Sequence, residues 1–422
     1  MKKRIQSTFN TGSSSVVSSC QICNNSKLEP IIFLGYLPPV NTLPKIGTQP
    51  HEQPSYPAEL LYCSKCHLVQ LGLIVDPKIL FPESYPYTSS TTKVLRENFK
   101  ELYEECIEKF ELDKKDLIID IGSNDGNLLN NFKKNHRVLG VTPESIGKLA
   151  IKNGIPTVLS YFEKDVVKKI KKEHGKAKII TATNVFAHIE NVHEVVELLL
   201  EILQSDGIFV SESHYLAPLI EKLQYDTIYH EHLRYYSLRS LQYLLQMHDL
   251  EIFHAKEIPP HGGSIRVYAA RKGMYPIEDS VKRILKREKE NVTNKKQFKS
   301  FSHDVMLSKL SLHKLLHSIK SKNGRIYGIS APSRASTLIN YVGLDDQIID
   351  CVLEVKGSYK TGKYIPGTII PILDEAKLFK DQPEYALIFS WHIAKELMPK
   401  LREKGFKGKF IIPLPTPKIV SK

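Results

Sequence analysis

Cysteine is scarce, six in 422 residues. That excludes the disulfide-stapled scaffolds of small secreted proteins and makes a reducing cytoplasm the expected compartment. Long apolar runs are missing as well. No stretch approaches the roughly 20 consecutive apolar residues that a membrane helix needs. The start, MKKRIQSTFNTGSSSVVSS, has a basic tip but lacks the apolar segment of a secretory signal. Residues 1–18 are therefore expected to be a disordered, Ser-rich leader. Acid is in the minority, 46 Asp and Glu against 59 Lys and Arg, for a net charge of +13. The densest basic run, 282–299, carries eight Lys and Arg against two Glu and no recognised nucleic-acid motif. It reads as a solvated helix face, so neither nucleic acid nor membrane is an expected partner.

What is present fits an ordinary globular chain, 41% hydrophobic and 25% charged, long enough for two or three domains. Residues 19–80 carry short apolar runs broken by Pro and Gly and read as a β-rich domain. KVLRENFKELYEECIEKFEL, from 93 to 112, has helical spacing, with Leu95, Phe99, Leu102, Cys106 and Phe110 on one stripe. Strands then alternate with helices, at 117–121, 137–141, 179–183, 207–212 and 265–270, with helices opening at 128 and spanning 192–203. That rhythm predicts a doubly wound, Rossmann-like α/β domain over 81–280. A Lys-rich helical connector follows at 281–322. A smaller α/β domain, with strands at 325–329, 348–353 and 384–389, fills 323–422.

Four of the six cysteines form two knuckles, Cys20-x-x-Cys23 and Cys63-x-x-Cys66. Zn²⁺ takes four tetrahedral thiolates, and each Cys-x-x-Cys turn aims two sulfurs at one metal. Such a closed site is structural. Four buried thiols or a redox pair are the alternative. Asp120-Ile-Gly122-Ser-Asn124-Asp125-Gly126 follows a strand and precedes a helix. An acid followed by Gly-x-x-x-Gly is the loop that S-adenosylmethionine (SAM) enzymes wrap around the amino-acid end of that cofactor, whereas a dinucleotide fingerprint is spaced differently. The next strand ends in Thr142, with Glu144 two residues on, where an acid for the SAM ribose is expected.

YDTIYHEHLRYYS, at 225–237, concentrates titratable groups: Tyr229, His230, Glu231 and His232 are consecutive. Histidine can take a proton near neutrality, and tyrosine can donate to a developing oxyanion. A solvent-facing aromatic loop or a His-x-His metal site are duller readings. NVFAHI places Asn184 and His188 just after a strand, where α/β sheets hold their ligands. His261-Gly262-Gly263-Ser264, leading to Arg266, forms a third polar cluster, and adjacent glycines suit a backbone lying close to a ligand.

The succession of the four-cysteine site, IGSNDGNLL, NVFAHI, YDTIYHEH and HGGSIRVY resembles the zinc-containing, SAM-dependent sugar C-methyltransferases, from about residue 18 to 415. That resemblance implies SAM and Zn²⁺ as cofactors and a nucleotide-diphosphate keto-deoxysugar as substrate, methylated by a monomer or weak homodimer. It implies Cys20, Cys23, Cys63 and Cys66 as zinc ligands. It puts Asp120, Gly122, Asn124, Asp125, Gly126 and Asn184 at the cofactor. His232 falls at the general base, with Tyr229, Glu231 and His188 around it, and Tyr85 or Tyr87 of YPYTSS over the site. His230, His261, Gly262, Gly263, Ser264 and Arg266 are the candidate substrate contacts. The chain departs from the family at Thr142, at Pro332-Ser333-Arg334 in place of a usual Lys-Gly, and along LEVKGSYKTG at 353–362. An O- or N-methyltransferase and a zinc-dependent nucleic-acid-binding protein are the competing functions.

Overall fold

The computed structural model describes residues 5–6, 13–48, 53–81 and 92–421. The N-terminal domain is an antiparallel sheet in the order Arg234–Tyr235, Val69–Leu71, Tyr56–Cys63, Leu28–Leu37. Alternate residues of Tyr56–Cys63 are buried (Tyr56, Ala58, Leu60 and Tyr62), the period-2 pattern of a strand with one covered face. Its fourth strand comes from YHEHLRYY, so the zinc-type sheet and the histidine-rich motif share one hydrogen-bonded ladder. The Ser-rich start is not wholly without structure, contrary to expectation. Ser13–Val16 pairs antiparallel with Leu73–Ile74, because Val17 finds cover against Ile74 and Leu233.

The central domain holds a seven-stranded sheet, ordered Leu250–Ile258, Ser264–Arg271, Leu203–His214, Ala177–Thr183, Leu117–Ile121, Arg137–Val141, Thr157–Val158. Five strands run parallel and Ser264–Arg271 is antiparallel between its neighbours. Leu117–Ile121 is buried at every position, as a central parallel strand must be. Strand order reverses between Leu117–Ile121 and Ala177–Thr183, so the crevice that α/β sheets use for ligands lies at their carboxyl ends. The helix Lys93–Lys109 covers one face with Leu95, Phe99, Leu102 and Cys106 buried, as its spacing predicted. The helix expected from 128 to 134 is a single turn, Leu129–Phe132. Asn131 Nδ2 there bonds the carbonyls of Asn127 and Leu128, a local alternative to the helical ladder.

The connector is two helices, Asp279–Asn291 and Lys295–Lys320, the second opened by Asn294, whose side chain accepts from the Gln297 amide. It is more than a solvated face. Glu288 is fully buried and accepts from the amides of Leu238 and Arg239 and from the Tyr215 hydroxyl. The C-terminal domain is a second seven-stranded sheet whose parallel core is ordered Pro371–Asp374, Cys351–Glu354, Ile326–Ile329, Tyr385–Ile388, Lys409–Ile412. Among the described residues no helix is long and apolar enough to cross a membrane.

Candidate active site

The four cysteines converge. Their Sγ atoms all lie within 4.8 Å of one another, with Cys20 3.3 Å from Cys66 and Cys23 3.4 Å from Cys63. The two knuckles are built alike. The amides of Asn24 and His67 close each turn onto the carbonyls of Cys20 and Cys63 at 3.0 and 2.8 Å. Asn24 and His67 both take positive φ, 55° and 61°. The amides of Cys20 and Cys63 reach the carbonyls of Asn25 and Leu68, each at 2.9 Å. The long gap between knuckles is spanned by the antiparallel pair Leu28–Leu37 and Tyr56–Cys63, with Leu28 opposite Cys63. Four mutually adjacent thiols suit a tetrahedral, fully thiolate-bound Zn²⁺.

A cavity of about 1530 Å³ opens at the carboxyl ends of the central strands and is walled by all three domains. Asp120, Gly122, Ser123, Asn124 and Asn184 form one end. Gly122 has φ +72°, and a Cβ there would stand 2.4 Å from Val185, so the turn requires glycine. Asp120 accepts from Thr181 Oγ1 at 2.6 Å, and burial pushes its carboxyl up to about 7. The buried Ser123 Oγ has no hydrogen-bond partner among the described residues. A left-handed turn with an unsatisfied hydroxyl fits a polar cofactor tail. Asp125 and Gly126 do not face the cavity. Gly126 lies where a Cβ would meet Ile155 and Ala150, and serves helix packing.

Thr142 and Glu144 both reach this end. Glu144 Oε2 accepts from Thr142 Oγ1 at 3.3 Å and from Asn124 Nδ2 at 3.4 Å, and burial raises its pKa. A carboxylate thus does sit at the strand tip, supplied from two residues beyond the neutral Thr142.

The motif histidines gather at the other end. His188, His230, His232 and His261 line the cavity with Tyr229 and Glu231. Ring centroids of His232 stand 4.3 Å from Tyr229 and 5.1 Å from His188. His232 Nδ1 is 3.1 Å from the Thr227 carbonyl, which can only accept, so a neutral His232 carries its proton on Nδ1 and offers the Nε2 lone pair. His188 Nδ1 likewise donates to the Glu231 carbonyl at 2.7 Å. Burial, with His188, His214 and His261 nearby, holds His232 well below the usual histidine range. Burial raises Tyr229, which stays protonated as a donor. Glu231 accepts from Asn41 Nδ2 at 2.6 Å, and His230 Nε2 donates to the Pro57 carbonyl at 3.3 Å, so both are tied to the N-terminal domain.

Four expected substrate contacts are corrected. Gly262 and Gly263, at φ +93° and +133°, make a turn packed on Gln224 and Pro218, and do not line the cavity. Ser264 Oγ donates to the Pro260 carbonyl. Arg266 is fully buried away from the cavity, its Nε 2.7 Å from Glu212 and its other nitrogens on Glu105 and Asn98. It faces Glu212 because the antiparallel register sets the two opposite one another. Tyr85 and Tyr87 fall outside the described residues.

Sequence reasoning missed His214, Ser330, Lys360 and His392, all on the cavity wall. His214 ends the strand Leu203–His214, and a strand's carboxyl end was the available signal. Among the described residues, the buried His261 Nε2 has no hydrogen-bond partner.

Three family models match in succession: a zinc binding domain at residues 20–81, a methyltransferase domain at 93–255 and a C-methyltransferase C-terminal domain at 259–415. The C-methyltransferase NovU of Streptomyces niveus is 29% identical over 412 residues, spanning 96% of this chain and 97% of that protein. Among solved structures, a SAM-dependent methyltransferase from Anabaena variabilis is 16% identical, with a TM-score of 0.34, over 43% of this chain and 86% of its own. Magnesium protoporphyrin IX methyltransferase from Synechocystis with bound SAH is 12% identical, with a TM-score of 0.33, over 42% and 83%.

Proposed function

We propose that this chain, in which zinc-binding, methyltransferase and C-methyltransferase C-terminal domain models match in succession, uses SAM to methylate a carbon next to the keto group of a nucleotide-linked deoxysugar. SAM supplies, when bound, an electrophilic methyl group on a sulfonium. Glu144, Asn124 and Asn184 would hold the cofactor against the turn at Gly122. The chain's own chemistry is the removal of a carbon-bound proton. His232 Nε2 takes the proton made acidic by the adjacent carbonyl, and the Tyr229 hydroxyl donates to the enolate oxygen that develops. His188 shares the Nε2 lone-pair form of His232 and accepts at that nitrogen, which favours Tyr229 as the donor. The enolate carbon is left facing the cofactor end of the cavity.

One observation carries this reading: the carbonyl of Thr227 fixes His232 in the tautomer that exposes a basic nitrogen, beside a protonated tyrosine. Neither an O- nor an N-methyl acceptor needs carbanion chemistry. The test is solvent-deuterium exchange into a nucleotide 4-ketosugar by the unmodified protein and by His232→Gln. Loss of a positioned base typically costs about 10²–10⁴ in rate. Turnover and exchange by His232→Gln near the unmodified rate remove His232 as the base.

A further inference from the structure

The C-terminal domain brings its own polar edge to the cavity, and the proton positions along it are determined. Arg334, on the helix Ser333–Val342, is 5% exposed and reaches into the central domain. Its Nε and Nη2 donate to the two carboxylate oxygens of Asp226, both at 2.8 Å, and Nη2 also reaches Gln224 Oε1 at 3.2 Å. Trp391 Nε1 donates to the same carboxylate at 2.8 Å, while its ring lies 5.1 Å from the guanidinium carbon. The remaining nitrogen, Nη1, stands 2.8 Å from Nδ1 of His392. A guanidinium only donates, so His392 Nδ1 accepts and bears no proton. The single ring proton is then on Nε2. His392 lines the cavity, and no described residue accepts from that Nε2–H. A second proton would place two cations 2.8 Å apart; burial and Arg334 push His392 down to about 2.

We propose that His392 is a fixed, neutral donor whose Nε2–H binds a carbonyl or hydroxyl oxygen of the sugar acceptor, and that Arg334 is the positioning residue that sets its tautomer. This rests on the acceptor being an oxygen-rich sugar, as argued above. The placement has a mechanical consequence. Asp226, which holds Arg334, directly precedes Thr227, whose carbonyl orients His232. One buried carboxylate therefore ties the donor from the C-terminal domain and the base from the central domain to a single frame.

Two measurements on the full-length protein test it. Nitrogen-15 histidine spectra, with His392→Ala to assign the signal, should show His392 protonated at Nε2 alone between about pH 6 and 8. An Nδ1–H tautomer or an imidazolium overturns the inference. In steady-state kinetics, His392→Ala should raise KM for a nucleotide 4-ketosugar about tenfold, the worth of one hydrogen bond to a neutral partner. KM for SAM should stay within about twofold, and His392→Gln, with an amide N–H near the lost donor, should recover most of the loss. An unchanged acceptor KM in His392→Ala overturns the donor role, as does failure of His392→Gln to recover any of it. If the unmodified protein turns over no nucleotide ketosugar, the reading of the acceptor falls, and the tautomer still decides the donor.

Discussion

Stripping zinc is expected to disable proton abstraction while leaving SAM binding in place. The metal site and the SAM loop are on different sheets, but the metal site and His232 are not. Val69–Leu71 follows the second knuckle directly and pairs with Arg234–Tyr235, two residues beyond His232. The Leu71 amide also donates to the Leu233 carbonyl at 3.0 Å, and the Leu233 amide to Ala187 at 2.8 Å, next to His188. Structural zinc sites supply much of the folding free energy of small domains, so chelation or Cys63→Ser should release this ladder. Roughly three backbone hydrogen bonds at about 1 kcal/mol each correspond to about 3 kcal/mol. That is on the order of a 10²-fold fall in the population of the ordered YHEH segment, and so in kcat/KM. The SAM dissociation constant, which the proposed site assigns to the turn at 120–124 and to Glu144, should move less than about twofold. The assay pairs methyl transfer with calorimetry of SAM on the same metal-free sample. Turnover retained within about threefold refutes the reasoning. So does a parallel loss of SAM binding, which would mean general unfolding.

Three further outcomes follow from the same geometry. Burial pushes His188, His230 and His261 down to about 4 and His214 to about 3; between those values and 6.5 the unfolded chain binds more protons, so stability is full above about pH 6.5 and falls toward pH 4. One such histidine is worth about 3 kcal/mol, and a melting temperature that stays flat from pH 7 to 4.5 contradicts it. Glu144→Ala should weaken SAM about tenfold by calorimetry, the loss of a charged hydrogen bond, while Thr142→Val, which keeps the carboxylate, should cost less; equal losses would place the contact elsewhere. Arg266→Met leaves the buried carboxylate of Glu212 without its counter-charge and should cost about 3–5 kcal/mol of stability. It should lower the melting temperature and leave the acceptor KM of the folded fraction unchanged, and a raised KM would restore Arg266 as a substrate contact.

The features legible in the sequence are those whose signal is local. Cys-x-x-Cys states its own chemistry, the alternation of apolar strands and amphipathic helices states the doubly wound sheet, and YHEH states a cluster of proton carriers. What stayed hidden depends on which way a side chain points or on what stands across a domain boundary. HGGSIR looks uniformly polar. Yet only His261 reaches the cavity, because the positive φ values that its glycines permit are spent on a turn against Gln224 and Pro218, and the strand register turns Arg266 onto Glu212. Thr142 looked like a lost ribose ligand until the loop carried Glu144 back to the strand tip. Arg334 is the plainest case. Its partners Asp226 and His392 lie 108 and 58 residues away, a separation with no periodicity to betray it, and Pro332-Ser333-Arg334 in place of a usual Lys-Gly reads from sequence as an altered grip on substrate. Paired bidentately with a buried carboxylate and bonded to Gln224 and His392, it keeps a single spare N–H, on Nη1, and most of its influence passes to His392. Acceptor selectivity in this chain should therefore be sought at His392 together with Arg334.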